Sequence, residues 1–153
     1  MIFSKGGHHI KKFIFTYGSA EIELTQKYCY LGIIFTASGL FTEAIKSLSE
    51  KASKVFYMLK QLNTRDNIKL TIKLFDSLVS PILYYGCEVW APFLLNKINK
   101  NNFQLLCDKS PTETLNVKLC KYILGVGKRS TNLAVKGELG RFPLLIKASQ
   151  LAV

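Results

Sequence analysis

Acidic side chains are scarce in this chain: ten Asp and Glu stand against twenty-one Lys and Arg, a formal charge of +11 at pH 7 over 153 residues. The ten are also scattered, with no Asp-Asp and no Asp-x-Asp. Two-metal phosphoryl transfer needs clustered carboxylates that hold ions about 3.5–4 Å apart, so these residues are expected to form no catalytic metal centre. Cysteine is sparse as well. Cys29, Cys87, Cys107 and Cys120 never form Cys-x-x-Cys, and with only His8 and His9 beside them no zinc pattern can be written. The two histidines lie in a polar N-terminal tail with no nucleophile nearby, which argues against a catalytic imidazole.

The opening MIFSKGGHHIKK has no apolar core of the signal-peptide kind. The expectation is a reducing, intracellular setting, cytoplasmic or nuclear rather than secreted, with free and mostly buried thiols. Nor is there a clean apolar span. Leu78 to Leu95 is hydrophobic but holds Pro81, Gly86, Glu88 and Pro92, and a carboxylate at the centre of a bilayer costs about 2.5–3.5 kcal/mol. It reads as protein core, and no membrane partner is expected.

What the chain does have is apolar material: 48 % hydrophobic residues exclude intrinsic disorder and suffice for one domain or a piece of one. The cationic surplus favours a polyanionic partner, nucleic acid before membrane, because cations on phosphates release condensed counterions. No small-molecule substrate is indicated.

The first forty residues have strand character. Lys12 to Tyr17, a Gly18-Ser19 turn and Glu21 to Thr25 predict a hairpin, and Tyr28 to Thr36 predicts a third, longer strand closed by Ala37-Ser38-Gly39. From Phe41 the period lengthens to about 3.6. Phe41, Ala44, Ile45, Leu48, Ala52, Val55, Phe56, Leu59 and Leu62 share one helical stripe, with Thr42-Glu43 in the first turn. A second helix is expected from a cap at Asp66, burying Ile68, Ile72, Phe75, Val79 and Leu83, with a break or kink at Pro81. Ser110-Pro111-Thr112-Glu113 reads as a capping box opening a helix through Leu115, Leu119, Tyr122 and Ile123 to a terminal Gly125. Asn96 to Asn102 is polar and predicts a loop, and the pattern at Leu151-Ala152-Val153 reads as cut in mid-element.

The fold expected is therefore α+β and mostly α: a short N-terminal antiparallel β-meander followed by a helical bundle. Four stretches follow: a β segment over 1–39, helices over 40–95, a polar loop over 96–110 and a helical segment over 111–153. Gly125 to Ser130 resembles a phosphate loop at a glance. The pattern fails, because Tyr122 stands where its first glycine belongs and Arg129 where Ser or Thr must follow the lysine.

Basic stripes are the stronger feature. Arg65, Lys69 and Lys73 recur every four residues on the second helix. Lys46, Lys51, Lys54 and Lys60 occupy the outward arc of the first, and Lys118, Lys121, Lys128 and Arg129 cluster later. Few acidic residues are interleaved (Glu50, Asp76), so the charge is largely not neutralised locally. Such a face can follow a sugar–phosphate backbone without reading sequence. An ordinary solvated face is the competing reading of the same lysines.

Three blocks of words go beyond composition. Lys27 to Gly39 (KYCYLGIIFTASG), running into Phe41-Thr42-Glu43-Ala44-Ile45, resembles the segment after the palm in non-LTR retrotransposon (LINE-type) reverse transcriptases, including a Tyr-Leu-Gly element at Tyr30-Leu31-Gly32. Leu74 to Trp90 (LFDSLVSPILYYGCEVW) resembles the family's thumb helix with its Tyr-Gly-x-Glu-x-Trp ending. Leu119 to Leu144 is similar to its Cys-Lys-x-Ile-Leu-Gly-Val and Gly-Glu-Leu-Gly-Arg-x-Pro words, and Met1-Ile2-Phe3 resembles the last palm strand.

The resemblance implies a post-palm and thumb fragment of an RNA-directed DNA polymerase. Tyr30, Leu31 and Gly32 would act as a primer grip, and glycine there permits close approach of backbone to a strand. The cations offered to the template–primer backbone are Lys46, Lys54, Arg65, Lys69, Lys73, Lys121, Lys128 and Arg129. The family's metal-binding aspartates, one set in an aromatic-Ala-Asp-Asp motif, would lie upstream with the palm and fingers and have no counterpart here. No cofactor is expected in this chain, since the Mg²⁺ of the family is held by those aspartates, and no polymerase activity is expected from it alone. The Gly137-Glu138-Leu139-Gly140-Arg141 word is expected to be structural, with a Glu138–Arg141 pair one turn apart. Two alternatives stay open: a non-functional transposon relic, and a protein-interaction module using the face that a missing palm leaves exposed.

Overall fold

A computed structural model describes residues 1–4, 14–95 and 109–151. The expected loop at 96–102, most of the 96–110 stretch, the His8-His9 pair, Cys107 and the start of the strand predicted from Lys12 lie outside the described residues. The chain is mostly helical, with small antiparallel strand pairs confined to its N-terminal part. It divides into two units, Met1–Ala44 and Ile45–Val153.

In the first unit, β1 (Phe15–Tyr17) pairs with β2 (Ala20–Ile22), and β3 (Lys27–Tyr30) pairs with β4 (Ile33–Thr36). Each pair is its own two-stranded sheet, so two hairpins replace the three-stranded meander. The reason lies at Leu31-Gly32. Both take positive φ, 46° and 80°, which folds the run Tyr28–Thr36 back on itself with Tyr30 opposite Ile33. Two positive-φ residues in a two-residue loop define a type I′ turn, whose twist matches that of the strands. Met1-Ile2-Phe3 is in no strand; next to it the Ser4 N–H donates to the Ala37 carbonyl at 2.8 Å.

The helix α1 (Thr42–Gln61) follows the predicted stripe: Ala44, Ile45, Leu48, Ala52, Phe56 and Leu59 are buried. It stops at Asn63, which is left-handed at φ 51°, so Leu62 falls past the helix end and is exposed. A 3₁₀ turn, Thr64–Asp66, then precedes α2 (Ile68–Leu74). The cap is Asn67, not Asp66: the Asn67 Oδ1 accepts from the Leu70 N–H at 3.1 Å, an interaction an N-cap amide makes well. Ile68 sits in the first turn and is exposed rather than buried.

Pro81 does not end this helix. Phe75–Val79 widens into a π turn in which the Ser80 N–H reaches back to the Phe75 carbonyl, and α3 (Ser80–Tyr84) continues beyond it. A π turn spaces the backbone where a proline ring would clash with the preceding turn. Gly86, at φ 62°, follows, and α4 (Cys87–Leu95) leaves at 76° to the helix before it. Among the described residues no single helix is long and apolar enough to cross a membrane.

Then come α5 (Pro111–Leu124), α6 (Asn132–Glu138) and α7 (Leu144–Leu151). The core of this second unit joins Ala52, Phe56 and Leu59 of α1 to Phe75, Val79 and Leu83, and to Leu115, Leu119, Ile123 and Leu144. The Phe56 ring meets Phe75 and Tyr122 edge-on at centroid distances of 5.8 and 6.5 Å, the arrangement that aromatic quadrupoles favour. At the end of α5, Gly125 takes φ 67° while the Val126 N–H returns to the Lys121 carbonyl, closing the helix as a Schellman motif.

Candidate nucleic-acid interface

Tyr30, Leu31 and Gly32 stand together at the tip of the β3–β4 hairpin, with Tyr30 57 % and Leu31 72 % exposed. Leucine is an unusual occupant of a left-handed position, where its Cβ crowds the following carbonyl. The tip is thus held in a strained, outward geometry.

The predicted cations fall into separate groups. Lys46 lines a depression of about 350 Å³ between α1 and the start of α5, with Ser49, Glu50, Lys109 and Lys118. A second depression, about 270 Å³, is lined by Val117, Lys118, Lys121, Lys128 and Asn132. Thr114 and Lys118 belong to both, so the two adjoin. Lys121 is held in place there, its Nζ donating to the Lys128 carbonyl at 2.8 Å. Lys54, Lys69, Lys73 and Arg129 are exposed and line neither depression. Arg65 is engaged elsewhere, its guanidinium lying against Gly125 at the C-terminal end of α5, where unpaired carbonyls favour a cation. Lys60 lies over three rings, 5.0 Å from Phe56, 5.7 Å from Tyr57 and 5.2 Å from Tyr122, which ties its charge to the aromatic cluster.

Lys109 escaped the sequence reading because it lies in the 96–110 stretch expected to be a loop, whereas the structure makes it helical, just before the N-cap Ser110. A polar network escaped it more completely. Glu113 is 1 % exposed, yet its Oε1 accepts from Lys136 Nζ and Asn116 Nδ2, both at 3.2 Å, and its Oε2 accepts from the Leu144 N–H at 2.8 Å. No capping box forms at Ser110: Glu113 turns away from its own helix start and caps α7 instead. The Glu138–Arg141 pair is likewise replaced. Glu138 is exposed, while Arg141 makes a forked contact to Asp76 at 2.8 and 3.2 Å and donates from Nε to Asn116 Oδ1 at 2.8 Å. Its guanidinium also lies 5.4 Å from the centre of the Phe75 ring. Arg141 therefore ties the connection between α6 and α7 to α5 and the π turn.

Burial beside this network raises the Tyr84 phenol to about 12; Arg141 opposes the rise, while Asp76, Glu113 and Cys87 add to it. Burial likewise pushes up the thiols of Cys87, aided by Glu88, and of Cys120, opposed by Arg141. Raised thiols are poor nucleophiles at neutral pH. Among the described residues no group of three His, Cys, Asp or Glu is placed to hold a metal ion. The lysines that line the two depressions give them a positive field, which attracts anions. Comparison of the chain with protein-family models, with curated proteins and with solved structures finds no match.

Proposed function

We propose that this chain is the post-palm and thumb part of a non-LTR retrotransposon reverse transcriptase, which holds a template–primer duplex by its backbone and does not polymerise by itself. The observation that carries this reading is the position of its most specific word. Tyr30-Leu31-Gly32 occupies an exposed hairpin tip at positive φ, a place from which backbone can approach a nucleic acid strand closely. The eleven surplus positive charges supply the phosphate attraction. The palm and fingers, with aspartates that hold Mg²⁺, are the partner this reading requires.

Purified protein with primed template, Mg²⁺ and nucleotides should bind the duplex and extend nothing. Robust nucleotide incorporation would refute the inactivity, and absence of a band shift at low salt would end the nucleic-acid reading. A second reading, a protein-interaction module, is favoured by one observation: Phe15, Tyr17, Ile22 and Tyr28 of the hairpins are all exposed. It gains if the duplex does not bind. The relic reading predicts a broad, uncooperative melt, against which the buried core and the satisfied network of Ile45–Val153 weigh.

A further inference from the structure

The two depressions that meet at Lys118 contain five lysines, Lys46, Lys109, Lys118, Lys121 and Lys128, against one carboxylate, Glu50. They also reach the start of α5, where Pro111 lines the first. The Ser110 hydroxyl does not cap this helix and is paired with Thr112 Oγ1 at 2.7 Å. The positive end of a 14-residue helix thus adds to the field of the lysines. Ser49 supplies an independent observation. It lines the first depression, is only 7 % exposed, and its Oγ is a buried polar atom without a hydrogen-bond partner. A buried hydroxyl left in that condition is costly to the free protein.

We infer that this groove is the seat for consecutive phosphates of one polynucleotide strand, with the five lysines as its cations and the Ser49 hydroxyl, buried in the free protein, donating to a phosphate oxygen once its side chain turns into the groove. The inference rests on the nucleic-acid reading above and deepens it. It transfers the phosphate contact from the periodic α2 stripe to a groove between α1 and α5. Lys109 and Lys118 enter as contact residues, and Lys54, Arg65, Lys69, Lys73 and Arg129 leave the site. The phosphate chain is the chemistry recognised, and inorganic polyphosphate is its other source.

The test is fluorescence anisotropy of a labelled primed duplex with the full chain across a salt series. Two double variants, K109A/K118A and K69A/K73A, remove the same number of charges, so a diffuse effect of net charge weakens both equally. The groove predicts at least a tenfold loss for K109A/K118A near 0.1 M salt, and a fall of roughly 1.8 in the slope of log K against log salt. K69A/K73A should stay within about twofold of the parent, and K109R/K118R should retain binding. All four exchanges are at exposed positions, and a thermal melt of each variant confirms folding.

S49A separates a binding role from a packing one. Its melting temperature should rise, because an unmet donor is removed, while its duplex affinity falls. Equal losses in the two alanine pairs, or parent-like binding by K109A/K118A, would overturn the groove and leave the nucleic-acid reading intact. Unchanged affinity in S49A would overturn the part given to the hydroxyl. Failure of the parent chain to bind duplex at any salt, with or without binding of polyphosphate of equal charge, would overturn both the groove's occupant and the reading beneath it.

Discussion

At Gly125 local geometry and a distant side chain impose the same residue. Its φ of 67° is left-handed, and a Cβ there would run into the Arg65 guanidinium. Gly125→Ala would drive the flexible arginine away and leave a left-handed alanine, at a cost of about 1–2 kcal/mol. In a chain of this size that lowers the melting temperature by about 2–8 °C, readable by circular dichroism. Tyr84 makes a second residue-scale prediction. Its phenol is raised to about 12 from 10.0, first by burial. As pH rises past 10 the unfolded chain loses this proton while the folded chain keeps it, so Tyr84 disfavours the fold between pH 10 and 12 and has no effect below. Ultraviolet titration of the parent and of Tyr84→Phe should show one late phenolate missing from the variant, whose stability should fall less over that interval.

Among the elements, the β3–β4 hairpin and the α5–α7 junction respond to mutation in opposite directions. A type I′ turn favours Asn-Gly, because asparagine tolerates φ > 0 far better than leucine. Leu31→Asn should therefore stabilise the hairpin by about 1 kcal/mol, seen as slower amide exchange in β3 and β4. It should also weaken duplex binding if the leucine side chain meets the primer. The junction depends on Glu113, a buried carboxylate serving Lys136, Asn116 and the first N–H of α7. Glu113→Ala strands the ammonium of Lys136, which is 4 % exposed. Breaking a buried pair from one side costs about 3–5 kcal/mol. The double replacement Glu113→Leu with Lys136→Met should cost less, because no unpaired charge is left; urea titration of the three proteins measures the difference.

For the molecule as a whole, the surplus of cations sets how association depends on salt. If the groove engages its five lysines, log K for duplex should fall with log salt at a slope near −4.5, since each neutralised phosphate contributes about −0.9. A flat response would remove the phosphate account. The two units place different demands on a partner: Met1–Ala44 exposes apolar and aromatic side chains on its hairpins, whereas Ile45–Val153 carries a core built from five of its helical segments.

Much of this was legible in the residues alone. The 3.6 period marked α1 and its buried stripe, and Gly125 marked the end of α5. Such signals are local: periodicity, left-handed glycine and the proximity of charges along the chain act within one or two turns. Leu31-Gly32 was local too, but the apolar run around it looked like a continuous strand. Other features were decided only by folding. Whether Glu113 caps its own helix or another 31 residues away, and whether Arg141 turns to Glu138 or to Asp76, 65 residues distant, depends on which partner the packed core brings within hydrogen-bond range. The groove is of the same kind. Lys109 and Lys118 become neighbours of Lys46 because burial of Phe56 and Leu59 against Leu115 and Leu119 presses α1 onto α5, and no spacing of lysines along the chain encodes that.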